Sequence, residues 1–220
     1  MDKLDGLAQT NLFAGLNKED FTALTAHAVD KLYPQHVLLA QESGPGDSLY
    51  VILSGSVKVY VSHENGDEVI LAFLGPGEVF GEMALVDNNR RSASVMTVEP
   101  CRLLSVSKTA FRACLAKNPD IAFNLIKTLS GRIRLLNENI KSLALLDVYG
   151  RIARTLLQLA QPSGPSWVVS QKLTHQDIAN MVGSSREMVS RIMKDLERGG
   201  YIGTNADKQI VIIEKLPQKY

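Results

Sequence analysis

The chain has 220 residues, 24 Lys and Arg against 23 Asp and Glu, and 45% apolar side chains, enough for one large domain or two modest ones. A net charge near zero excludes a protein that coats nucleic acid over its whole surface, and no apolar run approaches the roughly eighteen residues of a membrane span. The start, Met1-Asp2-Lys3-Leu4-Asp5, has no apolar segment and argues against a secretory signal. The two cysteines, Cys101 and Cys114, read as reduced core thiols of a cytoplasmic protein, and two thiols cannot hold an iron–sulfur cluster.

Residues 18–28 predict a short helix with Asn17 as its cap. From 33 to 106, short β-branched runs alternate with glycine-containing turns at 44–46, 54–56, 64–67 and 75–77. The runs 48–53, 57–61 and 69–74 have strand length, and Asn65-Gly66 between two of them is a hairpin signal because both residues tolerate positive φ. Many short strands with regular turns predict a sandwich, barrel or jelly roll.

After Lys108 the periodicity becomes helical. Residues 108–116 form one short helix, and Pro119-Asp120 opens another that runs to Leu145, about 40 Å at about 1.5 Å per residue. Its apolar positions Ile121, Leu125, Leu129, Ile133, Leu136, Ile140 and Leu143 recur at threes and fours. Such a stripe serves either an intramolecular core or a seam between two copies. So long a helix beside a small β domain favours the seam, and a symmetric homodimer follows. Residues 148–160 continue as a helix, and Gln161-Pro162-Ser163-Gly164-Pro165-Ser166 predicts a loop.

Charge separates the two halves: 14 basic against 16 acidic side chains in residues 1–146, but 10 against 7 in 147–220. The basic half contains two short helical patterns around Gly183. Thr174 caps the first, with Asp177 three residues on in an approximate capping box. Ser184 or Ser185 caps the second, which turns Val189, Ile192, Met193 and Leu196 inward and leaves Arg186, Glu187, Ser190 and Arg191 outside. Guanidinium binds guanine O6 and N7 together and a carboxylate accepts from cytosine N4. Arg186 and Arg191 are therefore candidate guanine readers and Glu187 a cytosine reader. Thr174, His175, Gln176, Ser185 and Lys208 are candidate phosphate contacts, Lys208 lying in a wing-like turn at 205–208.

In the other half, Gly81-Glu82-Met83-Ala84-Leu85 follows a strand and opens a short helical segment, which turns free backbone N–H groups toward an anion. Arg91 and Ser92 add a guanidinium and a hydroxyl. A turn with a structural Arg–Glu pair is the alternative. With Arg91-Ser92-Ala93, this stretch resembles the phosphate-binding cassette of cyclic-nucleotide-binding domains. Taken with Ser185-Arg186-Glu187 and Arg191, the chain resembles the Crp/Fnr family of transcription regulators over nearly its whole length; residues 146–153 are similar to that family's hinge and following helix.

The resemblance implies an α+β chain: a cyclic-nucleotide-binding β-roll, or jelly roll, over 1–118, a dimerisation helix and hinge over 119–146, and a winged helix-turn-helix over 147–220. It places Glu82 on the ribose 2′-hydroxyl, Arg91 and Ser92 on the cyclic phosphate within a cassette of Gly81, Met83 and Ala84, and residues 55–61 along the pocket. The family's cyclic-AMP-binding members meet adenine with a Thr-Ser pair on the long helix, where this chain has Leu136 and Asn137. Asn137 can donate to and accept from a purine edge; Leu136 cannot, and suits the helix seam. Cyclic AMP is the first choice of effector, with cyclic GMP, cyclic di-GMP and a ligand-independent active state as alternatives. The implied partners are palindromic double-stranded DNA, a second copy of the chain, and RNA polymerase through the 162–166 loop. A cyclic-nucleotide-binding scaffold is the rival class, but a scaffold has no use for base-reading side chains on a capped helix. His27, His36, His63 and His175 are scattered, and no metal-ligand spacing or nucleophile arrangement suggests a metal site or an enzyme.

Overall fold

Period-2 alternation builds the first half. In the computed structural model, which describes Leu7 and residues 10–26, 28–164 and 166–216, the N-terminal β region forms two four-stranded sheets; residues 1–5, His27 and Pro165 lie outside the described residues. The strands are β1 (Ala28–Tyr33), β2 (Leu38–Ala40), β3 (Ser48–Ser54), β4 (Val57–Ser62), β5 (Glu68–Leu74), β6 (Val79–Phe80), β7 (Ser94–Thr97) and β8 (Cys101–Ser107). Their orders are β1-β8-β3-β6 and β2-β7-β4-β5. Leu49, Val51 and Leu53 of β3, with Leu104 and Val106 of β8, point into a core shared with Phe13, Leu24, Phe111 and Ile121. Ile52, Cys101 and Leu103 point the other way, onto Val57, Leu74 and Val95 of the second sheet. This is the β-roll arrangement expected from the sequence.

Helix α1 (Lys18–Ala26) is capped by Asn17, whose Oδ1 accepts from the Asp20 N–H at 2.8 Å. Helix α2 (Met83–Asp87) is one short turn, α3 (Lys108–Lys117) is capped by Ser107, and α4 spans Pro119–Leu145. The apolar stripe of α4 divides along its length. Ile121 and Leu125 are buried in the β-roll core and Leu129 packs against it. Ile133 (58% exposed), Leu136, Ile140 (64%) and Leu143 are exposed. Ile126, Ile133 and Ile140 recur every seventh residue, as do Leu129, Leu136 and Leu143.

After α4, Asp147 starts α5 (Val148–Leu159), its Oδ1 accepting from the Gly150 N–H at 2.7 Å. The expected loop at 161–166 is instead a hairpin, β9 (Ala160–Ser163) and β10 (Ser166–Val169). Strand β10 pairs with β12 (Ile210–Ile212), and the sheet order is β11-β12-β10-β9, with β11 at Ile202–Thr204. Proline is tolerated at Pro162 because β9 is the edge strand, where a missing N–H costs no ladder bond. Helices α6 (His175–Val182) and α7 (Arg186–Arg198) pack with α5 around Ile152, Leu156, Ile178, Val182, Val189 and Leu196. The chain forms two compact units, Met1–His63 with Ile70–Arg134 and Glu64–Val69 with Leu135–Tyr220, so α4 contributes to both. No helix among the described residues is long and apolar enough to cross a membrane.

Candidate functional site

In the first unit the candidate anion cassette lies at the turn from β6 into α2. Gly81 takes φ +84°, and a Cβ there would come within 2.1 Å of Arg91 Nη1 and 2.9 Å of the Ser48 carbonyl oxygen, so glycine alone fits. The Arg91 side chain is buried, 8% exposed. Its Nε donates to Pro45 O (3.2 Å), Nη1 to Gly81 O (2.9 Å) and Nη2 to Ser48 O (2.7 Å). All three acceptors are neutral, and among the described residues no carboxylate lies within ion-pair distance of it. Burial lowers the pKa of Arg91, while Tyr50, Asp47 and Glu82 push it back up. Taking a cation out of water without a direct counter-ion is costly, and an anion beside it offsets that cost.

Glu82 is 1% exposed. Its Oε1 accepts from Arg132 Nη1, whose Nη2 also donates to the Val79 carbonyl. Its Oε2 is buried and receives no hydrogen bond from the described residues. An orphaned buried acceptor costs about 1–3 kcal/mol, more when charged, so a donor brought to this oxygen is stabilised there. Arg132 was absent from the sequence-derived set. The signal for it was its position one turn before Leu136, which places both on the same side of α4.

Ser92 is exposed, and among the described residues its hydroxyl meets only the Met83 thioether sulfur, at 3.9 Å, a weak acceptor easily replaced. Ala84 is buried, and Gly46 lets the β2–β3 loop lie on it: a Cβ at Gly46 would sit 2.2 Å from that of Ala84. Helical geometry leaves the first N–H groups of α2, those of Met83 and Ala84, without an intrahelical acceptor. Arg112, also unforeseen, closes the other end of α2 by donating to Leu85 O and to Asn88 Oδ1 (2.8 Å). A neighbouring cleft of about 310 Å³, lined by Asp47, Asn88, Asn89, Arg90 and Lys108 among others, includes neither Glu82 nor Arg91 in its wall. Gly81, Glu82, Met83, Ala84, Arg91 and Ser92 thus come together. Leu136 and Asn137 are exposed on α4, in the second unit.

The second unit holds the candidate DNA surface. Thr174 Oγ1 accepts from the Asp177 N–H (3.1 Å) and Asp177 Oδ2 from the Thr174 N–H (2.9 Å), a complete capping box. Helix α6 ends at Gly183 with φ +62°, the left-handed conformation that a helix C-cap favours in glycine. Ser185 Oγ then accepts from the Met188 N–H (3.2 Å) and starts α7. Arg186, Glu187 and Arg191 are exposed and Ser190 is half-buried. The Glu187 carboxyl is held below its ordinary pKa, first by its own backbone N–H and then by the Ser185 hydroxyl, so it is an acceptor at neutral pH. Gln176 is exposed and donates to Asn180 (2.7 Å), while His175 is half-buried at the first position of α6. Lys208 is exposed at φ +62° in the turn joining β11 and β12. These residues sit on one helix-turn-helix and its wing. Replacing Arg186 by alanine is expected to cost about 1–3 kcal/mol at one base pair of each half-site and to relax specificity there. Fluorescence anisotropy on a set of single-base operator variants measures this, and unchanged discrimination at every position contradicts the assignment.

Comparison with known proteins agrees with both halves. Residues 30–118 match the cyclic nucleotide-binding domain family and residues 150–217 the Crp-like helix-turn-helix domain family. The chain is 35% identical over 206 residues to the CRP-like cAMP-activated global transcriptional regulator of Mycobacterium tuberculosis, covering 92% of this chain and 91% of that protein. It is 38% identical over 188 residues to the cAMP-activated global transcriptional regulator CRP of Pasteurella multocida, covering 82% and 88%. Among solved structures, the c-di-GMP-responsive global regulator CLP of Xanthomonas campestris superposes with a TM-score of 0.76 at 28% identity, over 90% of this chain and 100% of that one. These relatives are named as regulators, and no catalytic family is indicated. The chain belongs to the Crp/Fnr family of transcription regulators, with a cyclic nucleotide-binding domain ahead of a Crp-like helix-turn-helix.

Proposed function

We propose that the chain is a homodimeric transcription regulator whose affinity for palindromic DNA is set by a cyclic nucleotide, cyclic AMP in the first place. One observation carries the ligand half of this reading: a buried guanidinium with only neutral partners lies in the same cluster as a buried carboxylate with one oxygen unsatisfied. A cyclic nucleotide supplies both complements, a phosphate for Arg91 and a ribose hydroxyl for Glu82 Oε2. Ser92 and the N–H groups of Met83 and Ala84 are further donors to the phosphate, and Gly81 keeps the backbone close. Arg132 holds Glu82 in place through its Oε1, which leaves Oε2 for the ribose. Asn137 is the candidate reader of the base. The named activators of M. tuberculosis and P. multocida favour cyclic AMP, whereas the X. campestris relative keeps cyclic di-GMP in the test.

The dimer rests on α4. Isoleucine at one heptad position and leucine at the other, three times over, is the combination that favours a parallel two-stranded coiled coil. A symmetric pair of α7 helices would then read two half-sites about 34–36 Å apart. Effector changes DNA affinity only through its different affinities for the two arrangements of the dimer. RNA polymerase is the expected protein partner, and the cytoplasm the expected compartment. Leucine at 136 favours a second reading, in which helix pairing and DNA binding persist without effector.

Isothermal titration against cyclic AMP, cyclic GMP and cyclic di-GMP, paired with anisotropy on a selected palindromic duplex, tests both. We expect cyclic AMP to bind and to tighten DNA binding. Tight DNA binding indifferent to every nucleotide supports the second reading and removes the gating.

A further inference from the structure

Helix α7 is strongly two-sided. Val189, Ile192, Met193 and Leu196 are buried, and Glu187, Arg191, Lys194 and Arg198 are exposed. Met188 departs from this division: at 37% exposure it is the large apolar side chain that α7 leaves in solvent. A single exposed apolar residue needs no explanation on an ordinary surface. Its location here sets it apart. Met188 is the third residue of α7, in the first turn, one residue after Glu187 and two before Ser190. Helical side chains lean toward the N-terminus, so its thioether extends over the end of the helix that Arg186 and Glu187 occupy. Its own N–H is held by Ser185 Oγ, which fixes the start of its side chain. Methionine is long, unbranched and polarizable, and it adapts to small apolar partners.

The apolar group that base edges present in the major groove is the thymine C5 methyl. We propose that Met188 is a further specificity-determining residue, which packs on one thymine methyl in each half-site beside the polar contacts of Arg186, Glu187 and Arg191. This rests on the reading of α7 as the base-reading helix. It assigns to the site a chemistry that hydrogen bonding cannot supply, since thymine and uracil present the same donors and acceptors.

The test replaces thymines by deoxyuridine, one symmetric pair at a time, in a palindromic duplex selected from a random pool by the full-length chain with cyclic AMP present. One pair is expected to weaken wild-type binding by about fourfold per half-site, the equivalent of one buried methyl group. Met188→Ser is expected to abolish that dependence and Met188→Leu to keep it, each read as the ratio of affinities for the thymine and deoxyuridine duplexes. A ratio near one at every position in the wild type overturns the proposal without any variant. So does a Met188→Ser protein that keeps the same thymine dependence, because another group then reads the methyl. Failure to select or bind any duplex, whether cyclic AMP, cyclic GMP, cyclic di-GMP or no nucleotide is present, instead overturns the DNA-reading assignment of α7.

Discussion

Replacing Ile133 by aspartate is expected to yield a folded chain that is monomeric and has lost its hold on palindromic DNA. Ile133 is 58% exposed and belongs to none of the buried clusters, so within one chain the substitution removes little packing. In a parallel helix pair the same position faces its own copy across the seam. Two isoleucines then leave the interior, each having contributed about 1.5–3 kcal/mol, and two carboxylates take their place at a desolvation cost of several kcal/mol per ion. Dimer dissociation is expected to rise by more than about a thousandfold. Sedimentation equilibrium reads the assembly, circular dichroism the fold, and anisotropy the DNA. Leu135→Asp is the control: Leu135 is also exposed but lies outside both seven-residue series, so its aspartate remains in water and the dimer is expected to survive. Equal behaviour of the two variants, both dimeric or both monomeric, contradicts the seam.

The stripe on α4 also shows what local pattern can and cannot disclose. Spacing by threes and fours identified the helix and its apolar face, but the period is the same whether the face meets the β-roll or another chain. Burial of Ile121 and Leu125 assigns one end of the stripe to the β-roll, while exposure of Ile133, Ile140 and Leu143 leaves the other end to the proposed seam, and that division depends on where the β-roll ends. Caps were legible because their partners lie within three residues: Asn17 with Asp20, Thr174 with Asp177, Ser185 with Met188. The 161–166 segment was misread because proline and glycine signal a turn locally. Trp167 and Val168 pair with Ile212 and Val211 more than forty residues away, and that pairing draws the segment into a sheet. In the candidate cassette Glu82 and Arg91 are suggested by their motif, whereas Arg132 is fifty residues from Glu82 and shares no motif with it. Met188 drew no reading from the sequence, and its 37% exposure is what sets it apart from the buried Met193.

Arg91→Gln is expected to weaken cyclic nucleotide binding by at least a hundredfold while DNA binding in the absence of nucleotide stays close to that of the wild type. A guanidinium on a phosphate makes two charge-assisted hydrogen bonds, each contributing about 1.5–3 kcal/mol, and the amide of glutamine restores neither the charge nor the fork. Stability responds less than affinity because two effects oppose each other. The carbonyls of Pro45, Ser48 and Gly81 lose donors, but a buried cation without a counter-ion is also removed. Arg91→Lys separates charge from geometry: it keeps the positive charge as a compact point and loses the planar fork, so an intermediate loss of about tenfold is expected. The order wild type, lysine, glutamine in a calorimetric titration with cyclic AMP is the signature of a phosphate held at this position. Should the glutamine variant bind cyclic AMP as the wild type does, the buried guanidinium is only a clasp for three loop carbonyls, and the anion must be held elsewhere.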